Sequence, residues 1–266
     1  MFHGRDAPPD ARLYTRRSRL LRVTERGESH AQVNRPLLSE FAGVLGGFDW
    51  EIALLQEAPP RWLRPLCAAT RAGGVSALTS RNFGAGARTM IARRNPDLMA
   101  SGEGGSNQLL VRPPWRVGAA ERVTLTRRPE RRRMLLARLE GPGGTLAVAN
   151  LHASAGDRVA AEGEARFAVE RAVAFAGHVP LLFGGDLNLR PAHSPALFRE
   201  LEERFGLASP TAPGAIDHLL VRGLAVVAAP RALAAGRREV LDPATGLAVR
   251  LSDHAPVAAA FSAGRT

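Results

Sequence analysis

The chain contains no lysine and a single cysteine, and aromatic residues make up only 5% of its 266 positions. One cysteine, Cys67, excludes an internal disulfide and leaves the redox compartment open. No apolar run approaches the roughly 18 residues of a membrane span. The opening Met1-Phe2-His3-Gly4-Arg5-Asp6 lacks the charged-then-apolar pattern of a secretory signal, so a cytoplasmic location is expected. No repeat occurs and no linker is biased enough to divide the chain, so residues 1–266 read as one domain with an irregular lead-in over 1–30. A chain of this length buries roughly 70–75% of its unfolded surface, and it folds without disulfides or structural metal. Hydrophobic residues at 45% and charged residues at 23% exclude wholesale disorder, collagen-like sequence and coiled coil.

With lysine absent, all 36 basic residues are arginine, against 25 acidic ones, for a net charge of +11. Arginine in place of lysine, with abundant alanine and glycine, fits a GC-rich coding sequence, but that bias does not explain the excess of cations. A positive field draws polyanions, and arginine makes bidentate contacts to phosphate. The clusters Arg16-Arg17-Ser18-Arg19, Arg127-Arg128 and Arg131-Arg132-Arg133 therefore favour a phosphate-bearing substrate, with DNA or RNA among the candidates. The plainer alternative is a solvated basic surface. Oligomeric state is open.

Residues Arg35 to Leu45 space Leu38, Phe41, Ala42 and Leu45 at helical intervals and stop at Gly46-Gly47. Ile52-Ala53-Leu54-Leu55 then reads as a buried strand that carries Glu57 at its end before Pro59-Pro60. Further strand-like runs are Val75–Leu78, Thr89–Ala92, Leu109–Val111, Val123–Leu125, Met134–Leu139, Thr145–Leu151, Leu181–Phe183, Ile216–Val221, Leu224–Val227 and Val257–Phe261. Helical patterns cover Gly163–Phe175 and Pro195–Phe205. Many strands, few helices and hairpin-length connections predict a mixed or antiparallel sheet sandwich with helices outside, and strict βαβ alternation is missing.

Five polar segments interrupt or end these runs, where strands would present them at one rim. They are Gln56-Glu57, Asn150-Leu151-His152, Gly184-Gly185-Asp186-Leu187-Asn188, Ile216-Asp217-His218 and Ser252-Asp253-His254-Ala255-Pro256-Val257. Carboxylates and imidazoles buried at strand ends are costly unless they pair or bind a cation. His218 is expected to pack rather than act. His3, His30, His178 and His193 carry no motif and are expected on the surface. Asn107, in Gly-Ser-Asn-Gln-Leu-Leu-Val, is read first as a turn residue and otherwise as a strand opener that faces the site, and Arg132 or Arg133 as either a phosphate contact or a solvated charge.

The set of segments resembles the endonuclease/exonuclease/phosphatase superfamily of metal-dependent phosphoesterases, in order from about Leu54 to Phe261. Gly-Asp-Leu-Asn and Ser-Asp-His-x-Pro-Val are its most specific parts. The resemblance implies an α/β four-layer sandwich: two packed mixed β-sheets flanked by helices, with the site at one rim. It implies Glu57 and Asp253 as ligands of, or neighbours to, a divalent cation, Mg²⁺ or Mn²⁺. Asp186 and Asn188 would orient the water and hydrogen-bond the phosphate, placed on one face by period-two spacing if the strand runs that far. His254 would be the general base or electrostatic partner, with Asp217 fixing its tautomer, and His152 would hydrogen-bond the phosphate or assist the leaving oxygen. The implied activity is phosphoester hydrolysis, first a nuclease or phosphodiesterase, otherwise an enzyme for a lipid or small phosphate ester. A non-catalytic phosphate-binding module is the rival. A calcineurin-type site fits poorly, because Asp-x-His and Gly-Asn-His segments are missing.

One departure stands out. The superfamily begins with a strand ending in an Asn motif, and no such strand precedes Phe2-His3-Gly4-Arg5. The expectation is a domain that lacks this first strand, with an exposed apolar edge where it would lie.

Overall fold

Alternation along the strands sends successive side chains into different cores. A computed structural model describes residues 1–79, 84–128, 130–208 and 211–263. In chain order its strands are β1 Glu25–Arg26, β2 Ala31–Gln32, β3 Ile52–Ala58, β4 Gly73–Thr79, β5 Gly105–Val111, β6 Arg116–Thr126 and β7 Arg132–Gly141. They continue with β8 Gly144–His152, β9 Leu181–Asp186, β10 Asp217–Arg222, β11 Leu224–Ala232, β12 Glu239–Leu241, β13 Ala248–Arg250 and β14 Val257–Ala263. The helices are α1 Arg16–Leu21, α2 Leu38–Gly46, α3 Leu63–Thr70, α4 Ala85–Arg94, α5 Pro96–Met99, α6 Arg158–Ala176 and α7 Pro195–Phe205.

One sheet has five strands in the order β10-β9-β8-β7-β6, all antiparallel except the parallel pair β8–β9. Facing it are the three-stranded sheet β3-β5-β4 and the separate pair β11-β14. Leu109 and Val111 of β5 meet Leu135, Ala137, Leu139, Leu146 and Val148 between the sheets. Leu110, between them in sequence, points the other way and packs with Phe41 of α2, and with Trp62 and Leu66 around α3. On the far side of the five-stranded sheet, Ala147, Ala149 and Leu151 pack against α6 and α7. α6 presents a row of small residues there (Ala161, Ala165, Ala168 and Ala172), all with no exposed surface, which lets it lie close on the sheet. Helix, sheet, sheet, helix is the expected four-layer sandwich.

Three local expectations are corrected. Thr89–Ala92 is helical, inside α4: the surrounding alanines and arginines are strong helix formers, and Asn95-Pro96 ends the helix. The lead-in over 1–30 is not wholly irregular. Thr15 caps α1 by accepting from the Ser18 amide, and the Glu25 carboxylate takes the Tyr14 and Thr15 amides. One six-residue helix is too short for periodicity to reveal. Asn107 lies inside β5 with no exposed surface and donates to the Arg133 carbonyl at 2.7 Å, so it is a strand residue. The ladder on both sides of β5 outweighs the turn reading.

Candidate active site

The ladder register builds the site. His152 is the last residue of β8 and stands opposite Asp186, the last residue of β9. Asp186 in turn stands opposite Asp217, the first residue of β10. Three neighbouring strand ends therefore set Asp217, Asp186 and His152 side by side at one rim. β9 reaches this rim through Gly184-Gly185. At Gly185 the φ is +125°, and a Cβ would lie 2.1 Å from the Leu151 carbonyl oxygen, so no larger residue fits.

The facing sheet brings Glu57. Leu55 pairs with Gln108 and Ala58 with Ser106, which leaves one extra residue on β3. At this bulge Glu57 takes φ 53° and turns off the sheet. Behind it a fully buried Asn150 ties the two sheets together. Its Oδ1 accepts from Gln56 Nε2 at 2.7 Å, and its Nδ2 donates to the Gln108 and Leu55 carbonyls at 2.8 and 3.2 Å.

His254 arrives from the loop before β14. Its Nδ1 pairs with Asp217 Oδ2 at 2.8 Å, which leaves Nε2 for substrate or water. The Asp217 hydrogen bond, reinforced by the charges of Asp217, Asp186 and Asp253, outweighs burial and raises the imidazole to about 9. Ligand atoms of Asp186, Asp217 and His254 all lie within 4.8 Å of one another. Burial, followed by the Asp217 charge, pushes Asp186 up to about 7. Burial and then the Arg132 charge push His152 down to about 3. The 3.3 Å contact between His152 Nε2 and Asp186 Oδ2 is therefore carried by a neutral imidazole rather than by an ion pair. Asn188 closes this side. β9 ends at Asp186, so period-two spacing does not place Asn188. A turn does: Asn188, at φ 52°, gives its amide to Asp186 Oδ1 at 2.9 Å and its Nδ2 to the Ala153 carbonyl at 3.0 Å.

Two groups here escaped the sequence reading. His3, expected on the surface, is half-buried with Nε2 3.3 Å from Glu57 Oε1. The Met1 amine is buried and donates to the Gln56 carbonyl at 2.7 Å. Burial works to raise the Glu57 carboxyl, but the His3 hydrogen bond and the His3 and Met1 charges hold it below the ordinary carboxylate range. Burial lowers the amine, while Glu57, Asp253, Asp217 and Asp186 all act to raise it. Glu57, Asp253, Asp217 and Asp186 thus all act on one point of the rim, and a hard divalent cation fits such oxygen donors. Asp253 itself is exposed. The other histidines separate as expected, with one exception. His218 is buried against Phe198, ring centroids 5.0 Å apart, and bonds the Leu189 carbonyl at 2.9 Å. His178 and His193 are exposed, but His30 is half-buried and contacts Glu239 at 3.2 Å. Arg132 is largely buried and pairs with Glu130 at 3.0 Å, so it is not a free solvated charge.

At this rim two packed sheets bring together carboxylates, imidazoles and an amide. The sequence pattern of the Endonuclease/Exonuclease/phosphatase family matches residues 13–254, and the chain belongs to that family. Its fold is similar to that of an endonuclease/exonuclease/phosphatase family protein from Bacteroides thetaiotaomicron, with a TM-score of 0.62, 15% identity, and 84% and 85% of the two chains covered. A mannosyl-6-phosphatase from the same organism gives 0.61 at 15% identity, covering 84% of this chain and 90% of that one. TDP2 of D. rerio, complexed with single-strand DNA product, gives 0.58 at 13% identity, covering 85% and 91%. At these identities the likeness is one of fold. No curated protein sequence matches the chain. Among the described residues no helix is long and apolar enough to cross a membrane.

Proposed function

We propose that the chain hydrolyses a phosphoester with a divalent cation, Mg²⁺ or Mn²⁺, and that its substrate is a phosphodiester of the nucleic-acid kind. The observation that carries this is the convergence of Asp186, Asp217 and His254 within 4.8 Å, at the rim that also holds Glu57, His152 and Asn188. Glu57, with Asp186 and Asp253 nearby, would hold the cation, which supplies charge neutralisation for the phosphoryl and leaving oxygens. Asp217 accepts from His254 Nδ1 and fixes the ring. Nε2 then takes the proton of the attacking water when the ring is neutral, or donates to a phosphoryl oxygen when it is charged. Asn188 and neutral His152 hydrogen-bond the phosphoryl oxygens. The net charge of +11 favours a polyanion over a small neutral-bodied ester.

A second reading rests on His3, whose Nε2 engages Glu57 at 3.3 Å. It is a module that binds phosphate without turning it over. Plasmid DNA and bis(p-nitrophenyl) phosphate, each with Mg²⁺, Mn²⁺ or chelator, separate the readings. The enzyme cleaves at least one of them, needs the metal, and loses activity in Asp186→Asn and His254→Ala while keeping its fold. Activity that persists in chelator overturns the metal-dependent reading. Hydrolysis of a sugar phosphate but of neither diester overturns the nucleic-acid preference. Phosphate binding without any turnover supports the second reading.

A further inference from the structure

Helix α1 is inside out. It buries Ser18 and leaves Leu20 and Leu21 exposed, at 65% and 66%. The groups beneath it are polar too: Gln32, Asn34, Asn95 and Asp97 are all buried. Asn34 Nδ2 donates to the Ser18 carbonyl at 3.0 Å and to Asn95 Oδ1 at 2.7 Å, and Asn95 Nδ2 donates to the Arg19 carbonyl at 2.7 Å. Asn95 also serves two other helices. Its amide closes α4 on the Ile91 carbonyl at 2.7 Å, and its Oδ1 opens α5 by accepting the Leu98 amide at 2.9 Å. Three helices thus meet at one residue, and each exposes large apolar side chains close to its bond with Asn95. They are Leu20 and Leu21 of α1, Met90 (60% exposed) and Ile91 of α4, and Leu98 of α5. Five arginines frame them: Arg16, Arg17 and Arg22 on α1 and its cap, and Arg93 and Arg94 in the last turn of α4. All five are exposed, and none pairs with a carboxylate among the described residues. The one acidic residue of the three helices, Asp97, is buried and accepts from Gln32. Glu25, which follows α1, is held by the Tyr14 and Thr15 amides.

We propose that this face docks on a membrane surface rich in anionic lipid, with Leu20, Leu21 and Met90 entering the acyl boundary and the five guanidiniums on headgroup phosphates. Polarity carries the choice of partner. A folded chain in water puts leucine inside and amides outside, and here the order is reversed over three joined helices. A lipid interface takes both kinds of side chain at once: apolar chains sink about 5–10 Å into it, and arginines meet its negative surface potential. A nucleic acid would take the arginines but leave the leucines and Met90 in water. A second copy of the chain would cover the leucines but set the same unpaired guanidiniums against each other, on a chain of net charge +11. The contact is peripheral, since among the described residues no helix is long and apolar enough to cross a membrane.

The test is co-sedimentation of the whole chain with vesicles of phosphatidylcholine, alone or mixed with phosphatidylglycerol, in low and high salt. Only the anionic vesicles should bind, and salt should weaken the binding by screening the arginines. Leu20→Ser with Leu21→Ser should weaken it by about tenfold or more, with Tm unchanged because both side chains are already in water. Arg16→Gln with Arg17→Gln should also cost about tenfold. Leu21→Trp, which places an interfacial aromatic there, should strengthen it. Two controls lie on other elements: Leu241→Ser, exposed on β12, and Arg127→Gln with Arg128→Gln, exposed between β6 and β7. Each should change binding by no more than about twofold. The proposal is overturned if anionic vesicles leave the chain in solution at low salt, or if the leucine pair binds them as tightly as the unaltered chain. It is also overturned if the Arg127 and Arg128 control loses as much as the Arg16 and Arg17 pair, since net charge alone would then explain the attraction. A DNA duplex whose binding falls in the Arg16 and Arg17 pair, with no vesicle binding, gives the face to nucleic acid and overturns it as well. None of these readouts involves hydrolysis, so they stand or fall apart from the proposed function.

Discussion

Gly185→Ala is the substitution the structure penalises most legibly. The new Cβ would sit 2.1 Å from the Leu151 carbonyl oxygen and 3.1 Å from Gln56 Nε2. Leu151 and Gly185 are directly paired in the β8–β9 ladder, so relief requires parting two central strands by more than an ångström. The φ of +125° adds strain for any residue with a Cβ, on the order of 1–3 kcal/mol. Overpacking against a rigid backbone adds about 1–3 kcal/mol. The sum, about 4 kcal/mol, is a large share of the ~5–15 kcal/mol that holds a domain folded. Gly163 in α6 is the control. A Cβ there meets nothing within 4 Å, and helix propensity predicts a gain of about 0.5–1 kcal/mol for Gly163→Ala. Urea unfolding followed by circular dichroism measures both. A loss below about 1 kcal/mol for Gly185→Ala would refute the claim that the backbone of β8 fixes β9, and with it the account of how Asp186 is placed.

Two further outcomes follow from named contacts. Asp217→Asn removes the partner that orients and charges His254, so turnover should fall about 10²–10⁴-fold with little loss of stability, checked by initial rates beside a thermal melt. Burial raises Asp6 to about 8 while its Oδ2 accepts the Val33 amide. A carboxyl raised in the folded state binds its proton where the unfolded chain has released it, so its contribution is whole below pH ~4 and is lost as pH rises toward 8, a few kcal/mol in all. Asp6→Asn should flatten this decline in urea midpoints between pH 5 and 9, and an unchanged slope would refute the assignment.

Strands whose apolar runs serve two cores were legible because burial on both sides leaves continuous Val, Leu and Ala, as in Thr145–Leu151 and Leu181–Phe183. The polar segments were legible for the converse reason: a carboxylate at the end of such a run needs a partner, and Asp186, Asp217 and His254 are one another's. What the sequence hid is non-local or conformational. Nothing in Phe2-His3-Gly4 announces that His3 contacts Glu57, since that contact spans 54 positions and depends on where the lead-in crosses the rim. The Asp186–Asn188 relation looked like strand alternation but arises from a turn with φ 52° at Asn188. Asn150 gave no sign of its role as a strut, because its partners, the Gln56 side chain and the Leu55 and Gln108 carbonyls, lie on two strands distant in sequence.

Binding of Mn²⁺, followed by water-proton relaxation in the whole chain and in Glu57→Gln, tests the central claim most directly. The account predicts one tight site whose affinity falls at least about tenfold in Glu57→Gln, with circular dichroism unchanged. Equal affinity in the two proteins, or no binding in either, would contradict it.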